Sequence, residues 1–171
     1  IRKCTSKGTI NMNTNAGIPD RIEALCLAGL HAMRVSLNSV RQDCYYAYFR
    51  PKTYRFSDVM ESIRTAKAHG KFVAINYLNC PGFTDSEHEV DALVDFIQDT
   101  RIDMIQWRNL NFDPIRYTRL MDGTATNGKP LGMVVVINRL SELFPGLIHG
   151  YFNPPVQGNQ RPDTDHDRAL S

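Results

Sequence analysis

The sequence predicts an α/β fold built on a parallel sheet, on three observations. Apolar runs of strand length alternate with segments of helical period. The strand starts recur about 23 to 40 residues apart, the length of a strand plus a returning helix. Amides and hydroxyls collect where strands end, while the segments that precede strands ("AGLHA", "AHGK", "TRID") are plain. Right-handed crossovers are expected for such units.

"GTINMNT" (8–14) alternates apolar and polar residues and reads as a strand. Pro19 opens a helical pattern with Ile22, Leu25 and Cys26 on one face, stopped by Gly29. "AMRVSLN" (32–38) is the next strand. "CYYAYFRPKTYRF" follows as an aromatic insert, suited to packing against the sheet or to stacking on bases. A helix begins near Ser57 and Asp58, carries Val59, Met60, Ile63 and Ala66, and ends at Gly70. "KFVAINYL" (71–78) is a strand.

In "NCPGFTD" (79–85), Pro81 and Gly82 suit the central positions of a type II turn. Cys80 reads as a small buried hydrophobe. Thr84, Asp85 or Ser86 caps the next helix, and Ser86 with Glu89 has capping-box spacing. Val90, Leu93, Val94 and Ile97 form that helix's apolar stripe, with Glu87, Asp91, Asp95 and Asp99 on its solvated face. "DMIQWRNL" (103–110) is the fourth strand. Pro114 starts a short helix, "LGMVVVINRLSELF" a further one despite its β-branched centre, and "LIHGYF" a short last strand. Residues 1–155 read as one domain and 156–171 as a polar, loose tail.

Parallel sheets place binding groups at the carboxyl ends of their strands. Asn13, Thr14 and Asn15 stand at the first such end, Ser36, Asn38 and Ser39 at the second. Asn76 and Asn79 stand at the third, Gln106, Arg108, Asn109, Asn111 and Asp113 at the fourth. Amides donate and accept, which suits a polar neutral or zwitterionic ligand with an amino-acid or ribose part. The same residue types also cap helices and make turns.

Other chemistries find little support. A net charge of +2 does not call for a nucleic-acid partner. The longest apolar stretch, "GMVVVI", is far below the ~20 residues a membrane span needs. Cys4, Cys26, Cys44 and Cys80 have no CxxC spacing; they read as free thiols of a cytoplasmic protein and not as a metal site. The chain starts at Ile1 rather than Met and shows no signal-peptide pattern. G-x-S-x-G, H-E-x-x-H and Walker A patterns are absent, and "GTATNGKPLG" has no strand before it to make a phosphate loop. Of the histidines, His149 is the one placed to matter; His31 and His69 fall near strand starts.

"TINMNTNAG", "LCLAGLHAMRVSLNS", "YYAYFRP", "FVAINYLNCPGFTD" and "MIQWRNLNFDP", in this order, resemble the later part of a radical S-adenosylmethionine (radical SAM) domain; "GYFNPP" suits the same group. The resemblance covers residues 8–155. It implies part of a TIM-like (β/α)6 barrel, with about four parallel βα units here. In such domains a CxxxCxxC loop after the first strand binds a 4Fe-4S cluster, and a glycine-rich acidic motif after the second holds the methionine amino group. The cluster passes one electron to S-adenosylmethionine and yields a 5′-deoxyadenosyl radical. Both motifs are missing from this sequence, so the strand at 8–14 would be the third of the barrel. The expectation is a fragment that keeps S-adenosylmethionine- and substrate-side residues, holds neither cofactor and is inactive alone.

By the same resemblance, Thr14 and Asn15 lie near the methionine part, and Ser36 and Asn38 near the ribose. Asn76 and the Pro81–Gly82 turn border adenine or ribose; Gln106, Arg108 and Asn109 close the opposite side. Arg108 suits a carboxylate or substrate anion, or else an internal salt bridge. No catalytic residue is assigned, and the substrate is an unspecified small molecule or peptide. Two further readings stay open: a half-barrel binding or scaffold domain, and an unrelated (β/α) enzyme acting on a phosphorylated or carboxylated small molecule. A sheet lacking two strands would expose an edge, through which self-association is expected unless a further segment, such as 1–8 or the tail, covers it.

Overall fold

A computed structural model of the chain describes residues 8–122 and 128–150. The expected tail at 156–171, and "GTATN" (123–127), lie outside the described residues. Five strands form one sheet in the order of the chain: β1 (Asn11–Thr14), β2 (Ala32–Leu37), β3 (Phe72–Asn79), β4 (Met104–Asn109) and β5 (Ile148–His149). Every neighbouring pair is parallel, in the registers Asn13 with Arg34, Ser36 with Asn76, Asn76 with Gln106, and Ile105 with His149. All strand ends therefore fall on one rim, as the alternation of elements predicts.

The helices are α1 (Pro19–Leu27), α2 (Gln42–Phe49), α3 (Phe56–Ala68), α4 (Glu87–Thr100), α5 (Pro114–Met121) and α6 (Met133–Leu143). Ile22 and Cys26 of α1, Val59, Ile63 and Ala66 of α3, Val90, Leu93 and Ile97 of α4, and Val136 and Leu140 of α6 are buried in one core. Their partners on the sheet are Met33, Val35, Leu37, Val73, Ile75, Tyr77 and Ile105. Side chains alternate across a strand, so these positions share one face. Helices on one face, with strands in sequential order, describe a section of a (β/α) barrel wall rather than a doubly wound sheet.

Some expectations need correction. Leu25 turns outward from α1 and is 38% exposed, because Ile22 and Cys26 already span the buried face. The first part of the aromatic insert, to which the sequence pattern assigns no element, belongs to a helix, α2. Its Tyr45 is fully buried and packs on Phe49 and Phe56 with ring centroids 4.7 and 4.9 Å apart. Aromatic residues are middling helix formers, so burial rather than local preference holds this helix. The "VVVI" run is helical, with Val136 and Leu140 one turn apart in the core. Among the described residues no helix is long and apolar enough to cross a membrane.

The amino end of the sheet is locked by paired polar groups. Asp103 accepts from Lys67 Nζ at 2.6 Å and from the Val73 amide at 2.7 Å, tying α3 to the start of β3. His31 Nδ1 accepts from the Ile10 amide at 3.0 Å, a structural role at the end away from any rim site.

Candidate functional site at the carboxyl rim

The second face of the sheet is polar where the first is apolar. Asn13, Arg34, Ser36, Asn76, Gln106 and Arg108 share it by register and alternation. Over the carboxyl ends of β2–β4 lies a cavity of about 560 Å³ lined by Ser36, Leu37, Asn38, Tyr48, Phe49, Asn76, Leu78, Trp107, Arg108, Asn109 and Asn111. That size lies within the usual ~300–1,000 Å³ of small-molecule sites. α2 and α5 close over this end through a second apolar cluster of Cys44, Leu78, Phe83, Tyr117 and Met121.

Five of the eight residues expected at a site meet in this cavity: Ser36, Asn38, Asn76, Arg108 and Asn109. Three do not line it. Thr14 Oγ1 accepts from the Ala16 amide at 2.9 Å, and Asn15 Oδ1 from the Gly17 amide at 3.3 Å. Both oxygens thus serve the turn into α1. Gln106 is fully buried beside Asn76 in the register and does not reach the cavity lining. Asn111, gathered with the fourth strand end, lines the cavity too, and Tyr48, Phe49 and Trp107 line it without having been expected to. Tyr48 and Phe49 sit one helical turn beyond Cys44 and Tyr45, a periodicity visible only once the insert is known to be helical.

Asn38 is the most informative of these side chains. It is 1% exposed, and its Nδ2 donates to the Cys44 carbonyl at 3.1 Å, with the Tyr117 hydroxyl at 3.5 Å. A carbonyl only accepts, so this contact fixes the amide's orientation. Asn38 Oδ1 is then left buried with no hydrogen-bond partner among the described residues, as is Asn79 Oδ1 at the end of β3. Such acceptors cost free energy of about 1–3 kcal/mol unless a donor arrives.

The loop carrying Asn38 is held by a carboxylate that sequence reasoning placed elsewhere. Glu89 is fully buried, accepting from Ser39 Oγ at 2.9 Å and from the Tyr77 hydroxyl. Tyr77 Oη in turn accepts from the Val40 amide at 3.1 Å, and Arg41 Nε lies 3.9 Å from Glu89. Desolvation pushes the Glu89 carboxyl above its ordinary range, against the lowering effect of its hydrogen bonds to Tyr77 and Ser39 and the Arg41 charge. The expected capping box does not form: Ser86 Oγ donates back to the Phe83 carbonyl at 2.7 Å, and Glu89 faces inward.

"NCPGFTD" proves to be a loop for turning. The Phe83 amide donates to the Cys80 carbonyl at 3.0 Å, with Gly82 at φ 88°, the positive value a type II turn requires at that position. Thr84 Oγ1 donates to the Leu78 carbonyl at 2.9 Å and accepts from the Cys80 amide at 2.8 Å. Asp85 is buried and accepts from the Gly82 and Gly132 amides. Cys80 is half-buried rather than buried.

Arg108 is exposed and makes no ion pair among the described residues; its Nε donates to Asn76 Oδ1 at 3.5 Å. His149 Nδ1 accepts from Trp107 Nε1 at 3.1 Å, with the two rings stacked, and burial lowers its pKa. It supports the tryptophan wall and does not line the cavity. Cys26, Cys44 and Cys80 stand on separate elements, and no group of three His, Cys, Asp or Glu among the described residues could hold a metal ion. Burial pushes the Cys26 and Cys80 thiols up, away from the thiolate that iron ligation needs. The described cysteines therefore do not fit a cluster.

The family model of the radical SAM superfamily matches residues 1–97, more than half of the chain. The chain belongs to the radical SAM superfamily. Among solved structures it is similar to a radical SAM methyltransferase from Sphaerobacter thermophilus, at 20% identity and a TM-score of 0.57 over 82% of this chain and 39% of that one. It is also similar to Streptococcus suis SuiB bound to S-adenosylmethionine, at 15% identity and a TM-score of 0.53 over 82% of this chain and 32% of that one. Archaeal Elp3 from Methanocaldococcus infernus matches at 14% identity and a TM-score of 0.54 over 84% of this chain and 35% of that one. At these identities the likeness is one of fold. The chain spans between 32% and 39% of the length of these three. No curated protein matches it in sequence. Membership of this superfamily overturns the reading as an unrelated (β/α) enzyme.

Proposed function

We propose that the chain forms the S-adenosylmethionine- and substrate-facing wall of a radical SAM enzyme, with the nucleoside seated in the rim cavity. The observation that carries this reading is Asn38 Oδ1, a buried acceptor without a partner among the described residues, in a side chain that lines the cavity. A ribose hydroxyl or an adenine amine supplies the donor it lacks. The Ser36 hydroxyl and Asn76 amide stand beside it on the polar face, and Tyr48, Phe49 and Trp107 offer aromatic surface to a purine and keep water from it. Asn109 and Asn111 close the far side. In this reading Thr14, Asn15 and Gln106 shape the wall, and Ser36, Asn38 and Asn76 hold the nucleoside. S-adenosylmethionine supplies the 5′-deoxyadenosyl chemistry of the family when bound; this chain's residues bind, orient and shield it. Because the described cysteines do not gather, we assign no cluster to them and route no electron through them.

Calorimetric titration of the 171-residue chain with S-adenosylmethionine tests the reading. Binding is expected, weakened about tenfold by Asn38→Ala, as loss of one hydrogen bond to a buried amide implies. Thr14→Ala should leave affinity within about twofold. No binding to the wild-type chain, or full affinity in the Asn38 variant, overturns the assignment. Anaerobic treatment with iron and sulfide is expected to leave the chain colourless, without cleavage of S-adenosylmethionine.

A further inference from the structure

Two guanidinium groups share the polar face of the sheet. Arg34 of β2 pairs in register with Asn13 and Ala74, and Arg108 of β4 pairs with Leu78, so the two flank the row Ser36–Asn76–Gln106 diagonally. Two strand spacings and four residue rises separate their backbones, about 16 Å in all. An arginine side chain spans about 6–7 Å, so the two guanidinium groups can converge on one small anion across that distance. Arg34 is half-buried and Arg108 exposed. Desolvation first, and the Arg108 charge second, lower the Arg34 pKa, so each guanidinium is within the other's field.

We propose that Arg34 and Arg108 bind the acidic group, a carboxylate or a phosphate, of the substrate on which the enzyme acts. The inference rests on the nucleoside reading of the neighbouring cavity, since it takes the anion to come from the second ligand. S-adenosylmethionine carries a sulfonium and an ammonium against one carboxylate and is net positive. Two arginines in mutual repulsion favour a ligand with net negative charge, and planar guanidinium forks match carboxylate and phosphate oxygens. By register Asn76 stands between the two arginines; it accepts from Arg108 Nε and lines the cavity with it, which joins the two ligand positions.

The test titrates succinate and inorganic phosphate separately into the 171-residue chain. Fluorescence of Trp107, the chain's one tryptophan, and calorimetry report binding. At least one anion is expected to bind, about tenfold more weakly in Arg108→Gln and to an intermediate degree in Arg34→Lys, which keeps charge but loses the fork. Arg64→Gln, whose guanidinium pairs with Asp99 in the helical layer, should match wild type. S-adenosylmethionine affinity should change less than about twofold in Arg34→Lys, at a residue outside the cavity lining. Absence of anion binding, anion affinity untouched by both arginine variants, or an equal loss for S-adenosylmethionine overturns the proposal; the last would assign the arginines to that ligand's own carboxylate. Anion binding that persists where S-adenosylmethionine fails to bind supports the arginine site and counts against the nucleoside reading alone.

Discussion

Ser39 donates its hydroxyl to the Glu89 carboxylate at 2.9 Å, joining residues 50 positions apart in the chain. That bond ties the loop after β2 to α4, and Tyr77 ties the same carboxylate to β3. Asn38 sits next to the anchored serine, so a buried carboxyl that does not line the cavity sets the position of a cavity residue. Glu89→Ala leaves two hydroxyls stranded and should cost about 3 kcal/mol in urea unfolding.

The same carboxyl predicts a pH effect of definite sign. Its folded pKa is raised, by desolvation above all. Its contribution to stability is therefore full below the ordinary carboxylate range, and is lost as pH rises through the folded value. Unfolding curves of wild type and Glu89→Gln should diverge across that window, the wild type losing ground as pH increases. Parallel curves would show that the carboxyl does not titrate abnormally.

At the first turn, Gly17 lies against a ring. A Cβ there would meet Tyr54 Cγ at 2.5 Å, and Tyr54 is held by a 3.1 Å hydroxyl contact with Tyr45. Gly17→Ala is expected to destabilise by about 1–3 kcal/mol, the cost of overpacking. Combining it with Tyr54→Ser should cost less than the sum of the two changes, measured as a double-mutant cycle. Strict additivity would refute the clash.

Asp85 staples two loops. It accepts from Gly82 within its own turn and from Gly132 at the start of α6, while its carbonyl accepts from the Leu131 amide at 2.8 Å. Asp85→Ala should lose about 2 kcal/mol. Amide exchange should accelerate at Gly132 and within α6 more than in β3. Uniform acceleration would mean that the staple acts only through global stability.

The outer edge of β1 has no strand partner among the described residues. Unpaired edges template pairing with another chain. The 171-residue chain is expected to associate reversibly in sedimentation runs at rising concentration, and Asn11→Lys with Asn13→Lys to return it to monomer. A single monomeric boundary at all concentrations would refute edge pairing.

The strands were legible because each is a short apolar run bounded by turn residues, and burial on the helix side demands such runs. α4 was legible for the same reason: Val90, Leu93 and Ile97 recur at the helical period. The nature of α2 was not, since its helix is stabilised by what Tyr45 packs against rather than by its own residues. Glu89 was misread because capping-box spacing is local, while the partners that win it lie on β3 and after β2. Alternation sets Arg34 on the face of Ser36, but its relation to Arg108 rests on the strand order and register, which no local pattern encodes.

Residue order alone determined that this protein is an α/β chain with amides and hydroxyls at the ends of parallel strands, because hydrophobic periodicity and turn chemistry are local properties. Only the tertiary structure decided which of those polar groups are spent on turns, as at Thr14 and Asn15, and which are left unpaired beside a cavity, as at Asn38. Whether a donor or acceptor is satisfied depends on atoms brought from distant parts of the chain, and no local pattern encodes that.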